Sequence, residues 1–268
     1  MRVTCLQMDV RLGCVEENFL HAENLIGAAM KDAPDVLVLP ETWNTGFFPR
    51  ENLASFCDED GQAVKARIGT LAKKYHVNIV AGSVSNLRNG KIYNTACVFD
   101  REGKCIAEYD KTHLFSPMGE DGFYEKGGHL CRFTLDGVSC GLIISYDLRF
   151  PELIRALALQ GMDILFVVSQ WPEARIGHLV ALCAARAIEN QCYVVNCNAC
   201  GTAEQTVYGG SSAIYAPLGQ VLVHAGGTEE IITADCELDS LPALRNAIPV
   251  FADRRSTKAV LVRKIDKP

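Results

Sequence analysis

Three segments of the chain each run from an apolar stretch onto a residue able to do chemistry. In Val36-Leu-Val-Leu39-Pro40-Glu41 a carboxylate stands just past a strand-like run, and in Cys105-Ile-Ala-Glu-Tyr109-Asp110-Lys111 a lysine takes the same place. In Gly141-Leu-Ile-Ile144-Ser145-Tyr146-Asp147-Leu-Arg149-Phe-Pro151-Glu152 a small hydroxyl residue sits between an apolar strand and a helix begun by proline. These are residue types that nucleophilic and acid–base catalysis draws on. Glu41 reads as a general base, and Lys111 as a fixed cation for a tetrahedral oxyanion. Ser145 occupies a nucleophile position, with the N–H of Tyr146 as a second oxyanion donor. Each residue also has a plainer reading: a solvated loop acid, a surface lysine, a turn serine. Glu120, in Ser116-Pro-Met-Gly-Glu120, is either a second acid that orients Lys111 and assists proton transfer, or an exposed loop carboxylate. His113 reads as structural rather than as a catalytic base, and Arg149 with Glu152 as an ion pair that fixes the turn.

The elements that must position these residues alternate between strand and helix patterns. Apolar strands are expected over 2–9, 35–40, 77–84, 92–99, 105–109, 138–144, 163–168, 192–198, 210–216, 219–223 and 230–236. Helical periodicity runs over 15–32, 60–76, 151–160 and 174–190, the last with Ile176, Leu179, Val180, Cys183 and Ile188 on one face. The alternation argues an α/β fold. The excess of strands over long helices points to two sheets packed face to face with helices outside. Thr42-Trp43-Asn44-Thr45-Gly46-Phe47, directly after Glu41, places aromatics and a turn glycine beside the acid, as in a pocket wall.

The bulk properties narrow the partners. The 268 residues suit one sizeable domain, 1–268, with no linker or repeat. A net charge of −6 disfavours nucleic acid or an anionic membrane as partner. No apolar run approaches the ~20 residues of a membrane span. The N-terminus reads as a first strand rather than a secretion signal, so a cytoplasmic location is expected. The 12 cysteines are expected to be reduced thiols, with Cys5, Cys97, Cys131, Cys140, Cys183, Cys192 and Cys236 in apolar segments. Cys197-Asn-Ala-Cys200 lacks a second pair of metal-binding spacing, so no metal is expected. The polar tail, 237–268, is a candidate to wrap a neighbouring subunit.

Taken in order, Leu39-Pro-Glu41, Tyr109-Asp-Lys111-Thr-His-Leu-Phe115, the segment from Gly141 to Glu152, and Ala185-Arg-Ala-Ile-Glu-Asn190 resemble the nitrilase superfamily of carbon–nitrogen hydrolases. The resemblance extends to Asp253-Arg-Arg255. It implies a four-layer α-β-β-α sandwich, a homodimer or higher homo-oligomer, and a Glu-Lys-Cys site without metal or organic cofactor. By it Glu41 is the base, Lys111 the oxyanion cation, Glu120 the second acid, and Ser145 stands where the superfamily has its nucleophilic cysteine. Within the superfamily the segments around Glu41 and Gln170-Trp-Pro-Glu-Ala-Arg175 look most like the omega-amidase branch, which hydrolyses the terminal amide of 2-oxoglutaramate and related dicarboxylate monoamides. Arg175 is then the candidate for the far carboxylate of the substrate, and Trp171, Phe47 and Phe115 for the pocket walls.

The serine alters what the chain is expected to do. A cysteine titrates near ~8.5 and can be pulled lower by a lysine and a helix start. A serine hydroxyl is far less acidic and relies on a well-placed base such as histidine. The chain is therefore expected to bind substrate and turn it over orders of magnitude more slowly than a form with cysteine at 145. Two rivals stand beside this reading: another amidohydrolase acting on N-carbamoyl amino acids, aliphatic amides or nitriles, and a ligand-binding pseudoenzyme.

Overall fold

The computed structural model describes residues 1–255, so the part of the tail beyond Arg255 lies outside the described residues. The first strands are β1 (Arg2–Gln7), β2 (Val36–Val38), β3 (Asp58–Glu59), β4 (Asn78–Arg88), β5 (Lys91–Phe99) and β6 (Cys105–Asp110). They are followed by β7 (Cys131–Leu135), β8 (Val138–Ile144), β9 (Ile164–Ser169) and β10 (Tyr193–Asn198). A small hairpin, β11 (Cys200–Ala203) and β12 (Thr206–Gly209), precedes β13 (Ala213–Tyr215), β14 (Val221–His224) and β15 (Glu230–Asp235). One sheet has the order β15-β1-β2-β4-β5-β6, with β3 beside β4, and the other β14-β13-β10-β9-β8-β7. The long helices are α1 (Val15–Ala29), α2 (Gln62–Tyr75), α3 (Pro151–Ala158) and α4 (Ile176–Asn190).

The central strands read as unbroken apolar runs because both of their faces are buried. Successive side chains of a strand point to opposite faces. In β9, Ile164, Phe166 and Val168 face the other sheet, while Leu165 and Val167 pack under α3 and α4. In β1 and β2, Val3, Cys5, Val36 and Val38 face inward, while Leu6 and Leu37 pack under α1 and α2. The result is a helix–sheet–sheet–helix sandwich, as expected. All seven cysteines assigned to apolar segments are buried free thiols.

Two expectations are corrected. The buried face of α4 is Leu179, Cys183, Arg186, Ala187 and Asn190. Ile188 is 52% exposed, because nine residues at 100° per step set it opposite Leu179. Arg149 does not pair with Glu152; its guanidinium lies over the Trp171 ring at 4.7 Å and meets His178 Nδ1 at 3.1 Å. The described part of the tail also makes contacts within its own chain. Leu241 is buried in the core between the sheets, and Arg245 bonds to Asp163 at 2.8 Å and to the carbonyl of Met162 at 2.9 Å.

Candidate active site

Glu41, Lys111, Ser145 and Gln170 each follow the C-terminal end of a strand, β2, β6, β8 and β9 respectively. The first two strands lie in one sheet and the last two in the other. Crevices outside the carboxyl ends of strands are where α/β sheets place their ligands. Here the crevice is the seam between the layers. The chain after β2 is held there by close backbone contact with β4. Gly82 has φ +58°, and a Cβ on it would stand 1.9 Å from the Pro40 carbonyl oxygen, so only glycine lets the two segments pass. The N–H of Ser83 donates to that carbonyl at 3.1 Å, and the N–H of Glu41 crosses to the Ser169 carbonyl at 3.3 Å.

Glu41, Lys111 and Glu120 are fully buried and form one network. The Lys111 ammonium donates to Glu41 Oε1 at 2.7 Å and to both oxygens of Glu120 at 2.9 Å. Asn94, which had no signal in the sequence, donates from one amide nitrogen to Glu41 Oε1 at 3.0 Å and to Glu120 Oε1 at 3.2 Å. The N–H of Gln170 donates to Glu41 Oε2 at 2.9 Å, and the N–H of Phe115 to Glu120 Oε2 at 2.6 Å. Burial pushes the Glu41 carboxyl upward; Lys111 draws it back, the Glu120 charge adds to the rise, and the Ser145 hydroxyl favours the ionised form. For Lys111, burial works against the charge, but the two carboxylates outweigh it and hold the ammonium above the usual lysine range. A fixed positive charge and a desolvated carboxylate therefore share one site.

Ser145 opens a 3₁₀ turn over Ser145–Arg149 and has φ +47°. A non-glycine residue in the left-handed region at a strand end is strained and persists only where its surroundings hold it. Asp147 does the holding. Its Oδ2 accepts from the Tyr109 hydroxyl at 2.8 Å and the N–H of Ile144 at 3.1 Å. Its Oδ1 accepts from the N–H of His113 at 2.9 Å and bonds to His113 Nδ1 at 2.7 Å. His113 also stacks on Phe150 with centroids 3.6 Å apart, which fits its structural reading. The N–H of Tyr146 lies in the first turn of this helix, where amides have no intrahelical acceptor.

Ser145, 7% exposed, lies in the wall of a narrow cleft enclosing about 320 Å³ of empty space. Phe47, Phe115, Tyr146, Trp171 and Arg175 also line it, so the pocket residues expected from the sequence come together. The Arg175 guanidinium sits over the Phe115 ring at 5.0 Å, and Arg149 joins it in the cleft wall. Neither arginine forms an ion pair with a carboxylate among the described residues. Gln170 and the β11–β12 hairpin close the site further. Tyr208 of β12 bridges to Pro172, and the N–H of Gly209 donates to the Trp171 carbonyl at 3.1 Å.

A carbon–nitrogen hydrolase family profile matches residues 2–246. Over 253 residues the chain is 43% identical to a 2-oxoglutaramate amidase of Bacillus subtilis, covering 94% of this chain and 97% of that one. It is 30% identical over 272 residues to an omega-amidase of Bos taurus, covering 95% of each. Among solved structures, a carbon–nitrogen hydrolase superfamily protein of Xanthomonas campestris superposes with a TM-score of 0.87 at 28% identity, covering 98% of this chain and 99% of that one.

Proposed function

Because the chain belongs to the carbon–nitrogen hydrolase family, we propose that its site is built to hydrolyse the terminal amide of a small dicarboxylate monoamide, of the 2-oxoglutaramate type, to the acid and ammonia. The observation that carries the reading is the buried Glu41–Lys111–Glu120 network set beside the strained residue 145, at a cleft whose arginines have no carboxylate partner among the described residues. In a form with cysteine at 145, Glu41 takes the thiol proton as sulfur attacks the amide carbonyl. The Lys111 ammonium and the N–H of Tyr146 stabilise the oxyanion. Glu120 keeps Lys111 charged and in place. Glu41 passes the proton to the amide nitrogen, the C–N bond breaks and ammonia leaves a thioester. Water then attacks that thioester, giving its proton through Glu41 to the departing sulfur. Arg175 takes the far carboxylate of the substrate, and Phe47, Phe115 and Trp171 enclose its chain.

Ser145 makes the present chain a poor catalyst in this scheme. Glu41 is a desolvated carboxylate already accepting from Lys111, Asn94 and the N–H of Gln170. A base of this kind suits a thiol far better than an alcohol. His113, two residues past Lys111, is engaged with Asp147, and His178 with Arg149. The test is release of ammonia from 2-oxoglutaramate by this chain and by its Ser145→Cys variant. A gain of at least about a hundredfold is expected, in line with the 10²–10⁴ that a positioned proton-transfer group contributes. No gain would sink the reading.

A further inference from the structure

Two buried donors in the cleft have no acceptor among the described residues. Gln170 is 2% exposed and Trp171 4% exposed, and both line the cavity. The Gln170 carbonyl oxygen accepts from the Thr42 hydroxyl at 2.9 Å, which fixes the orientation of the side-chain amide. Its Nε2 is then left with no partner, and so is the indole Nε1 of Trp171. A buried donor without an acceptor costs about 1–3 kcal/mol, and unpartnered groups of this kind in a cleft mark where a ligand completes the bonding. Arg149 and Arg175 add guanidinium donors at the same walls, and among the described residues no carboxylate lines the cleft.

We infer that Gln170 is a specificity-determining residue: its side-chain amide donates to an acceptor oxygen on the acyl chain of the substrate, beyond the scissile carbonyl. This deepens the dicarboxylate monoamide reading and rests on it. A wall made of donors favours an acyl chain bearing oxo or carboxylate oxygens and disfavours one bearing an ammonium, for which the cleft offers no anionic partner. Thr42 sets the polarity of this wall. By donating to the Gln170 carbonyl, it leaves the Nε2 of that amide as the unpartnered group. The backbone N–H of Gln170 meanwhile holds Glu41, so a change of side chain leaves that anchor in place.

The experiment compares kcat/KM for 2-oxoglutaramate and for butyramide, which has no oxygen beyond its amide, in the Ser145→Cys enzyme with and without Gln170→Met. Loss of the donor is expected to lower the 2-oxoglutaramate value about tenfold, from the cost of an unmade hydrogen bond, chiefly through KM. The butyramide value is expected to fall less than the 2-oxoglutaramate value, since that substrate has no acceptor for the lost donor, and thermal unfolding shows that the variant is folded. Gln170→Ala is run alongside in case methionine does not fit. An equal fall on both substrates, or no fall, overturns the inference and assigns Gln170 a purely structural part. If the Ser145→Cys parent shows no preference for 2-oxoglutaramate over butyramide, the dicarboxylate reading itself fails. If that preference exists and survives Gln170→Met, only the inference about Gln170 fails.

Discussion

Replacing Asp147 by asparagine removes one acceptor from a buried carboxylate that serves four donors. The consequence follows from which donors can adapt. If the new amide nitrogen faces Tyr109 and Ile144, the tyrosine hydroxyl can accept from it and turn its own hydrogen to Thr112 Oγ1, already 3.0 Å away. If it faces His113, the imidazole can present its other tautomer and accept. The backbone N–H groups of Ile144 and His113 cannot adapt, so either orientation orphans one of them. One orphaned buried N–H costs about 1–3 kcal/mol, and loss of the charge weakens the surviving bonds, for a total of about 2–4 kcal/mol. In a chain of this size that lowers the melting temperature by roughly 5–15 °C. Asp147→Ala strands both backbone N–H groups and is expected to be worse. Thermal unfolding of both variants is the assay, with turnover in the Ser145→Cys background as a second readout, since the Ile144 N–H adjoins the strained residue. A loss under about 2 °C for asparagine, or equal losses for asparagine and alanine, would refute the reasoning.

Two further outcomes follow from the buried charges. Lys111→Met leaves Glu41 and Glu120 facing each other without their cation, and removing one partner of a buried pair costs about 3–5 kcal/mol. Burial already pushes the Glu41 carboxyl upward, and loss of the Lys111 charge that draws it back raises it further in the fold. Its contribution is intact below the unfolded value and lost as pH rises through the folded one, so the deficit against the parent should grow from acid to neutral pH; denaturation across that range reads it. In the Ser145→Cys form, turnover should fall on acidification at a pH above the ~4.3 of an ordinary glutamate, because burial raises Glu41. Glu120→Gln should move that limb down by removing a neighbouring negative charge, and a pH–rate profile with no movement would contradict the shared network.

The parts of the structure legible in the sequence were those whose signal is local. Apolar runs marked the central strands, and Glu41, Lys111 and Ser145 stood out because each ends such a run. The strand Cys131–Leu135 alternates buried and exposed residues, yet it is a short edge strand with two charged or polar positions and was not anticipated. The β11–β12 hairpin turns through Glu204 at φ +52° and Gln205, without the Asn-Gly or Gly pattern that announces a tight turn. Asn94 and Asp147 gained meaning only from partners 53 and 38 residues away in the chain. Arg149 was assigned to Glu152 by nearness in sequence, whereas the fold offers it an aromatic face from the neighbouring strand end.

The seam between the sheets gives the site a sensitivity that its own residues do not reveal. One layer supplies the base and the cation, the other supplies residue 145 and the amide that steadies the base, and bonds such as Gln170 to Glu41 and Tyr109 to Asp147 span the gap. Under the proposed mechanism the site works as a caliper for the alignment of two plates. A displacement near 1 Å can cost about a hundredfold in rate while leaving a fold intact. A volume change at Phe166 or Val38, fully buried in the filling between the plates, would slide one jaw of that caliper against the other. Drift in such core positions would register as lost turnover well before it registered as lost stability.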